Sequence, residues 1–253
     1  VLAGRAEITT PADLSNVRIG VARNPFYVDL NPETAAAMER ALEKLQAAGV
    51  TLVELDLPEI TALVKKTGGI IGQYEAVKDL EAYLDKYQTG VDFFTLAAAT
   101  ESPDVKRIFT ALSQDKNGDG KPDGTITEEE YLEAMNVHRP ALIKLYADYF
   151  EANNVDALVF PTTILPAGPI EGTVDTVEHN GRQVPTFPTY VHNAEPASIA
   201  GLPGITMPIG LTEDGLPLAM ELDAAGGNDE HLLAIALAIE PLFGKLPPPD
   251  LSN

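Results

Sequence analysis

Between Val17 and Leu57 the chain reads strand, helix, strand. Val17–Ala22 (VRIGVA) is short and apolar, and Pro32-Glu33 opens a segment with Met38, Ala41, Leu42 and Leu45 on one helical face. Gly49 ends that segment and Thr51–Leu57 (TLVELDL) follows. Two strands joined by a helix of this length must run parallel, with a right-handed crossover, which commits the molecule to an α/β class. Val155–Phe160 (VDALVF) is apolar at nearly every position, the pattern of a strand covered by helices on both faces. The expectation is a mixed, largely parallel twisted sheet flanked by helices.

The second firm element is a hairpin. Gly204–Leu211 and Leu216–Asp223 are apolar runs separated by Asp214-Gly215, a dipeptide whose two positions both tolerate positive φ. Helices are predicted over most of Ile60–Tyr87, with Gly68, Gly69 and Gly72 as interruptions. Further helices run from Ser102-Pro103 to about Gln114, from Glu128 to Asn153 with a kink at Pro140, and from an Asn228 cap through Leu232, Ile235, Ala236 and Ile239. Leu142, Leu145, Tyr146, Tyr149 and Phe150 form one core stripe, and His138 extends that face as a packed histidine. Thr173–Thr189 reads as a polar surface excursion, and nothing divides the 253 residues into independent domains.

Charge narrows the partners. Thirty-eight acidic residues against 17 basic ones give −21, which disfavours nucleic acid and anionic membranes. No apolar run reaches the roughly 20 residues that span a bilayer. With no cysteine, disulfides, thiolate chemistry and Cys-based zinc sites are excluded. The Gly-Gly-Ile-Ile-Gly run at Gly68–Gly72 lacks the Lys-Ser/Thr continuation of a phosphate loop. The four histidines show no HExxH spacing, and no Gly-x-Ser-x-Gly elbow exists.

One segment is of a different kind. Asp115–Glu130 (DKNGDGKPDGTITEEE) begins with D-x-N-x-D-G, oxygen donors at alternate positions and a glycine at the sixth, as in a calcium loop. From Asp115 the twelfth position is Ile126, which has no carboxylate; from Asp119 it is Glu130, with Asp123 fifth and Lys121 in the third position. Two registers are thus superimposed. Asp115, Asn117, Asp119, the carbonyl near Lys121, and Asp123 or Glu130 are the candidate ligands of a structural calcium ion, which would lean toward an extracytoplasmic setting. The rival reading is a solvated acidic turn.

Four blocks, in order, resemble the amidase signature family. They are Val1–Ala22, with VLAG and LSNVRIGVA; Arg139–Pro169, with VDALVFPTTILPAGP; Asn193–Asp223, with Pro-Ala-Ser, Gly-Leu-Pro-Gly and Gly-Leu-Pro; and Gly226–Glu240, GGNDEHLLAIALAIE. SPDVKRIF at Ser102–Phe109 is similar to the indoleacetamide and mandelamide hydrolases of that family. The resemblance implies one portion of an amidase fold and a serine-dependent reaction turning a small carboxamide into acid and ammonia, without organic cofactor. Its Ser–cis-Ser–Lys triad lies in a Gly-Ser-Ser-Gly context, to which none of Ser15, Ser102, Ser113, Ser198 and Ser252 belongs. The whole chain is therefore expected to be the C-terminal portion of a single amidase domain, inactive alone, whose partner is the N-terminal half of the same enzyme. The loop at 115–130 would be an insertion. By the same resemblance Thr162, Thr163, Ile164, Asn193 and Ser198 wall the substrate pocket. The alternative is a non-enzymatic calcium-binding module or scaffold derived from an amidase.

Overall fold

The computed structural model describes residues 10–115, 118, 122 and 124–248. Strand β1 (Arg18–Val21) is followed by a short helical turn, α1 (Arg23–Phe26), and then by α2 (Pro32–Ala47). The Asn31 carboxamide caps α2 by accepting the Glu33 N–H at 2.9 Å, and Pro32 fills the first turn, where no N–H is needed. Met38, Ala41, Leu42 and Leu45 are all buried, and β2 (Thr51–Glu54) returns parallel to β1 with Arg18 opposite Thr51. The strand–helix–strand reading holds.

Next come α3 (Ile60–Val64), α4 (Gly68–Lys86), α5 (Phe93–Ala99) and α6 (Pro103–Leu112). The helical break expected at the glycines falls at Lys65–Thr67 instead, and Gly69 and Gly72 lie inside α4. Thr67 explains the shift: its hydroxyl bonds back to the carbonyls of Leu63 and Val64 and closes the first helix. The Glu128–Asn153 helix is in three parts, α7 (Glu128–Glu133), a π-helical turn at Ala134–His138 and α8 (Arg139–Asn153). The wide turn lies just before Pro140, the residue that cannot donate to it. His138 is partly buried and pairs with Glu133 at 3.2 Å, so it is not a purely packed residue.

Strand β3 (Ala157–Pro161) is buried at every position. The polar excursion contains a hairpin, β4 (Thr176–His179) and β5 (Arg182–Pro185). Asn180 and Gly181 make its two-residue turn, both at positive φ, as a type I′ turn needs. Then come α9 (Thr186–Tyr190), α10 (Glu195–Ala200), β6 (Gly204–Leu211), β7 (Pro217–Asp223) and α11 (Asp229–Ile239). The β6–β7 hairpin stands, with a different turn. Thr212 N–H bonds to the Leu216 carbonyl, the loop has three residues, and only Gly215 takes positive φ, at 83°. Asn228 does stand at the start of α11, but its side chain makes no capping bond there.

The five-stranded sheet has the order β2-β1-β3-β7-β6. Strand β3 is parallel to β1 and antiparallel to β7, and β7 is antiparallel to β6. Four of the five strands therefore point one way, the mixed and largely parallel sheet expected. One face packs Ile19, Val159, Met220 and Leu222 under α2 and α11; the other packs Leu158 and Phe160 under α3, α8 and α10. Among the described residues no helix is long and apolar enough to cross a membrane.

Candidate active site at the strand ends

In parallel sheets the carboxyl ends of adjacent strands leave a crevice where ligands collect. Here those ends belong to β1 and β3, and Asn193 ties them together. This buried residue donates through its carboxamide nitrogen to the Phe26 carbonyl beyond β1 at 3.0 Å and to the Pro161 carbonyl of β3 at 2.7 Å. Its amide oxygen is buried without a partner among the described residues. Phe26 stacks on Phe160 with ring centroids 4.4 Å apart, and the Tyr27 hydroxyl donates to the Val159 carbonyl at 3.0 Å. Burial pushes the Tyr27 phenol far up, so it stays a neutral donor.

Past β3 the residues singled out in the sequence separate. Thr162 N–H continues the ladder to the Ala219 carbonyl at 3.1 Å, and its hydroxyl lies 3.4 Å from that of Thr206 on β6. Thr163 turns its hydroxyl to the Leu165 carbonyl at 2.8 Å. Ile164 is buried in a small cluster with Leu165 and Val177, and its carbonyl accepts the Asn31 N–H at 2.8 Å. Ser198 lies on α10 and donates to the Ala194 carbonyl one turn back at 3.0 Å. Thr162 and Asn193 gather at the strand ends; Thr163 shapes a turn, Ile164 fills core, and the Ser198 hydroxyl is spent on its own helix.

No serine hydroxyl among the described residues bonds to a histidine or a lysine. Ser15 turns to Asp13, Ser102 to Asp104, Ser113 to the Thr110 carbonyl and Ser198 to Ala194. A Ser–His or Ser–Lys nucleophile needs its partner within hydrogen-bond reach, and these serines have none. An open groove of about 590 Å³ lies away from the strand ends, between α4 and α5, and Glu81, Asp85 and Asp92 line it.

Of the calcium-loop candidates, Asn117, Asp119, Lys121 and Asp123 lie outside the described residues. Asp115 accepts the Gly118 N–H at 2.6 Å. Glu130 closes a capping box on α7, accepting the Thr127 N–H at 2.9 Å and its hydroxyl at 2.7 Å. Those two bonds lower the Glu130 pKa.

Sequence reasoning passed over two acids on β7. Glu221 and Asp223 are buried in an otherwise apolar strand, and the signal was legible: two carboxylates at i and i+2, on one face of a run read as core.

This arrangement, a mixed sheet with helices on both faces, is shared with solved amidases. The chain aligns with a crystal structure of an amidase at TM-score 0.72 and 26% identity, over 96% of this chain and 49% of the other. The Amidase family matches residues 4–233, and the chain belongs to the amidase signature family. It is 39% identical over 253 residues to an indoleacetamide hydrolase of Agrobacterium vitis, covering 100% of this chain and 52% of that one. Against a mandelamide hydrolase of Pseudomonas putida it is 32% identical over 255 residues, covering 100% and 48%. The chain spans about half the length of the curated relatives it matches.

Proposed function

We propose that this chain is the C-terminal portion of a serine-dependent amidase that hydrolyses a small carboxamide to acid and ammonia. The observation that carries the reading is the similarity along the whole chain to hydrolases of two arylacetamide-type amides. The serine geometry agrees with it, since a nucleophile and its Lys-linked relay would then come from the other half. In this reading the nucleophilic oxygen attacks the amide carbon, ammonia leaves with a relayed proton, and water releases the acid from the acyl-enzyme. This chain supplies one wall of the pocket at the β1 and β3 ends. Thr162 and Asn193 are nearest the reacting groups, and Thr163, Ile164 and Ser198 act by shaping that wall. The 115–130 loop binds a structural calcium ion between two helices and takes no part in the chemistry.

The test labels the native polypeptide that carries this chain with a fluorophosphonate and maps the modified serine, alongside turnover of indoleacetamide and mandelamide. The expected label falls on a serine outside the 253 residues. Label on Ser198 or any other serine of this chain, or no amide turnover by the native polypeptide, would overturn the reading.

A further inference from the structure

Glu221 and Asp223 point from β7 to the same face of the sheet as their cross-strand partners Phe160 and Leu158. Over β3 that face is covered by α8, whose Tyr146 is fully buried. Toward β6 the apolar cover stops: the residues opposite are Thr206 and Gly204, both exposed. Asp223 sits so close beneath Gly204 that a Cβ there would lie 2.7 Å from its carboxylate oxygen. Asp223 is 0% exposed, and neither of its oxygens has a hydrogen-bond partner among the described residues. A third, independent group shares the condition: the Tyr146 hydroxyl is buried and unpartnered, and lies within electrostatic reach of both carboxyls.

A buried carboxyl and a buried phenol with no hydrogen-bond partner among the described residues are costly to leave so, because each forfeits its water and gains nothing in return. Burial, with the Glu221 charge adding to it, pushes Asp223 up to about 8, and burial raises Glu221 against the pull of a hydrogen bond from Thr206. We propose that Glu221, Asp223 and Tyr146 form the seat of an arginine side chain carried by a segment that covers the β6–β7 face of the sheet. The inference rests on the reading that a further half completes the enzyme, and the curated relatives do have about as much chain again. A guanidinium fits the acceptors best. Its five donors lie in a plane that can meet two carboxyls, and it keeps its charge when buried, where an ammonium tends to lose its proton. Calcium takes six to eight oxygens, more than these three side chains offer.

The test is made in the native polypeptide carrying this chain, by thermal unfolding of wild type, Asp223→Asn and Glu221→Gln between pH 5 and pH 8. With an arginine seated, Asp223 is ionised throughout. Asp223→Asn then strands a buried cation and lowers Tm by about 10 °C, by the same margin across that range. Glu221→Gln gives a smaller deficit with the same flat pH dependence, and serves if Asp223→Asn does not fold. With no cation, the folded protein holds a proton that the unfolded chain releases, from the ordinary value of 3.8 up to about 8. Wild type then loses stability as pH rises through that window, and Asp223→Asn gains on it. A neutral or stabilising Asp223→Asn, or a difference that changes with pH, overturns the seat while leaving the amidase reading intact. Intact masses of everything in the native sample that show these 253 residues and no second polypeptide or segment would instead sink that underlying reading, and the seat with it.

Discussion

Asn193 is the residue on which the strand ends depend. Its two donated bonds reach Phe26 and Pro161, far away in sequence, so Asn193→Ala leaves two carbonyls facing a void. Each unsatisfied buried acceptor costs on the order of 1–3 kcal/mol, and a loss of about 3 kcal/mol is expected in urea unfolding, with the m-value unchanged. Asn193→Asp is expected to be worse, because it sets an acceptor against two acceptors. The sequence marked Asn193 only through resemblance. Its physical role was hidden, because nothing local announces a side chain whose partners lie on two other elements. Thr162 was easier to place, since any residue following an all-apolar strand stands at a carboxyl end.

Among the elements, the small β4–β5 hairpin was legible and was passed over. Val177 and His179 are buried on β4 and Val184 is half-buried on β5, so few of the inward positions are apolar, but Asn180-Gly181 carries the turn. Gly181→Ala forces a Cβ into left-handed backbone at φ 77° and should cost about 1 kcal/mol. Faster hydrogen exchange of the Glu178–Gln183 amides would register it. The helix start at Thr127 separates the two calcium registers. Glutamine serves a capping box as well as glutamate does, so Glu130→Gln keeps α7 capped while removing a charged ligand. Calcium at 100 times its dissociation constant should raise stability by about 2.7 kcal/mol. Asp119→Ala should abolish the gain in either register, and Glu130→Gln only if the loop closes through Glu130; differential scanning calorimetry with and without chelator reads both. The turn between β6 and β7 shows the limit of dipeptide reading, since Asp-Gly fixes where the chain reverses but not the number of residues it uses.

For the molecule as a whole, the class was readable because one strand–helix–strand unit and one all-apolar strand admit few arrangements. The order β2-β1-β3-β7-β6 was not, as nothing in β3 says which neighbours it will take. The net charge of −21 acts at this scale through self-repulsion of the compact state. Raising ionic strength from about 0.01 M to about 0.15 M, which shortens the screening length from roughly 30 Å to 8 Å, should raise Tm. A Tm that is unchanged or falls would mean the acidic groups are already locally compensated.

The same strand order sets a timetable. Central β3 lies against β1 at Ile19–Ala157 and against β7 at Leu158–Asp223, so neither neighbour is close to it in sequence. During synthesis at roughly 5–20 residues per second, β1 and β2 leave the ribosome on the order of ten seconds before β3 does. Through that interval the apolar residues of β1 and α2 have no central strand to close on. The newborn chain is then a client for whatever holds hydrophobic segments apart in the cell, and slowing translation between Thr51 and Ala157 should lengthen that dependence.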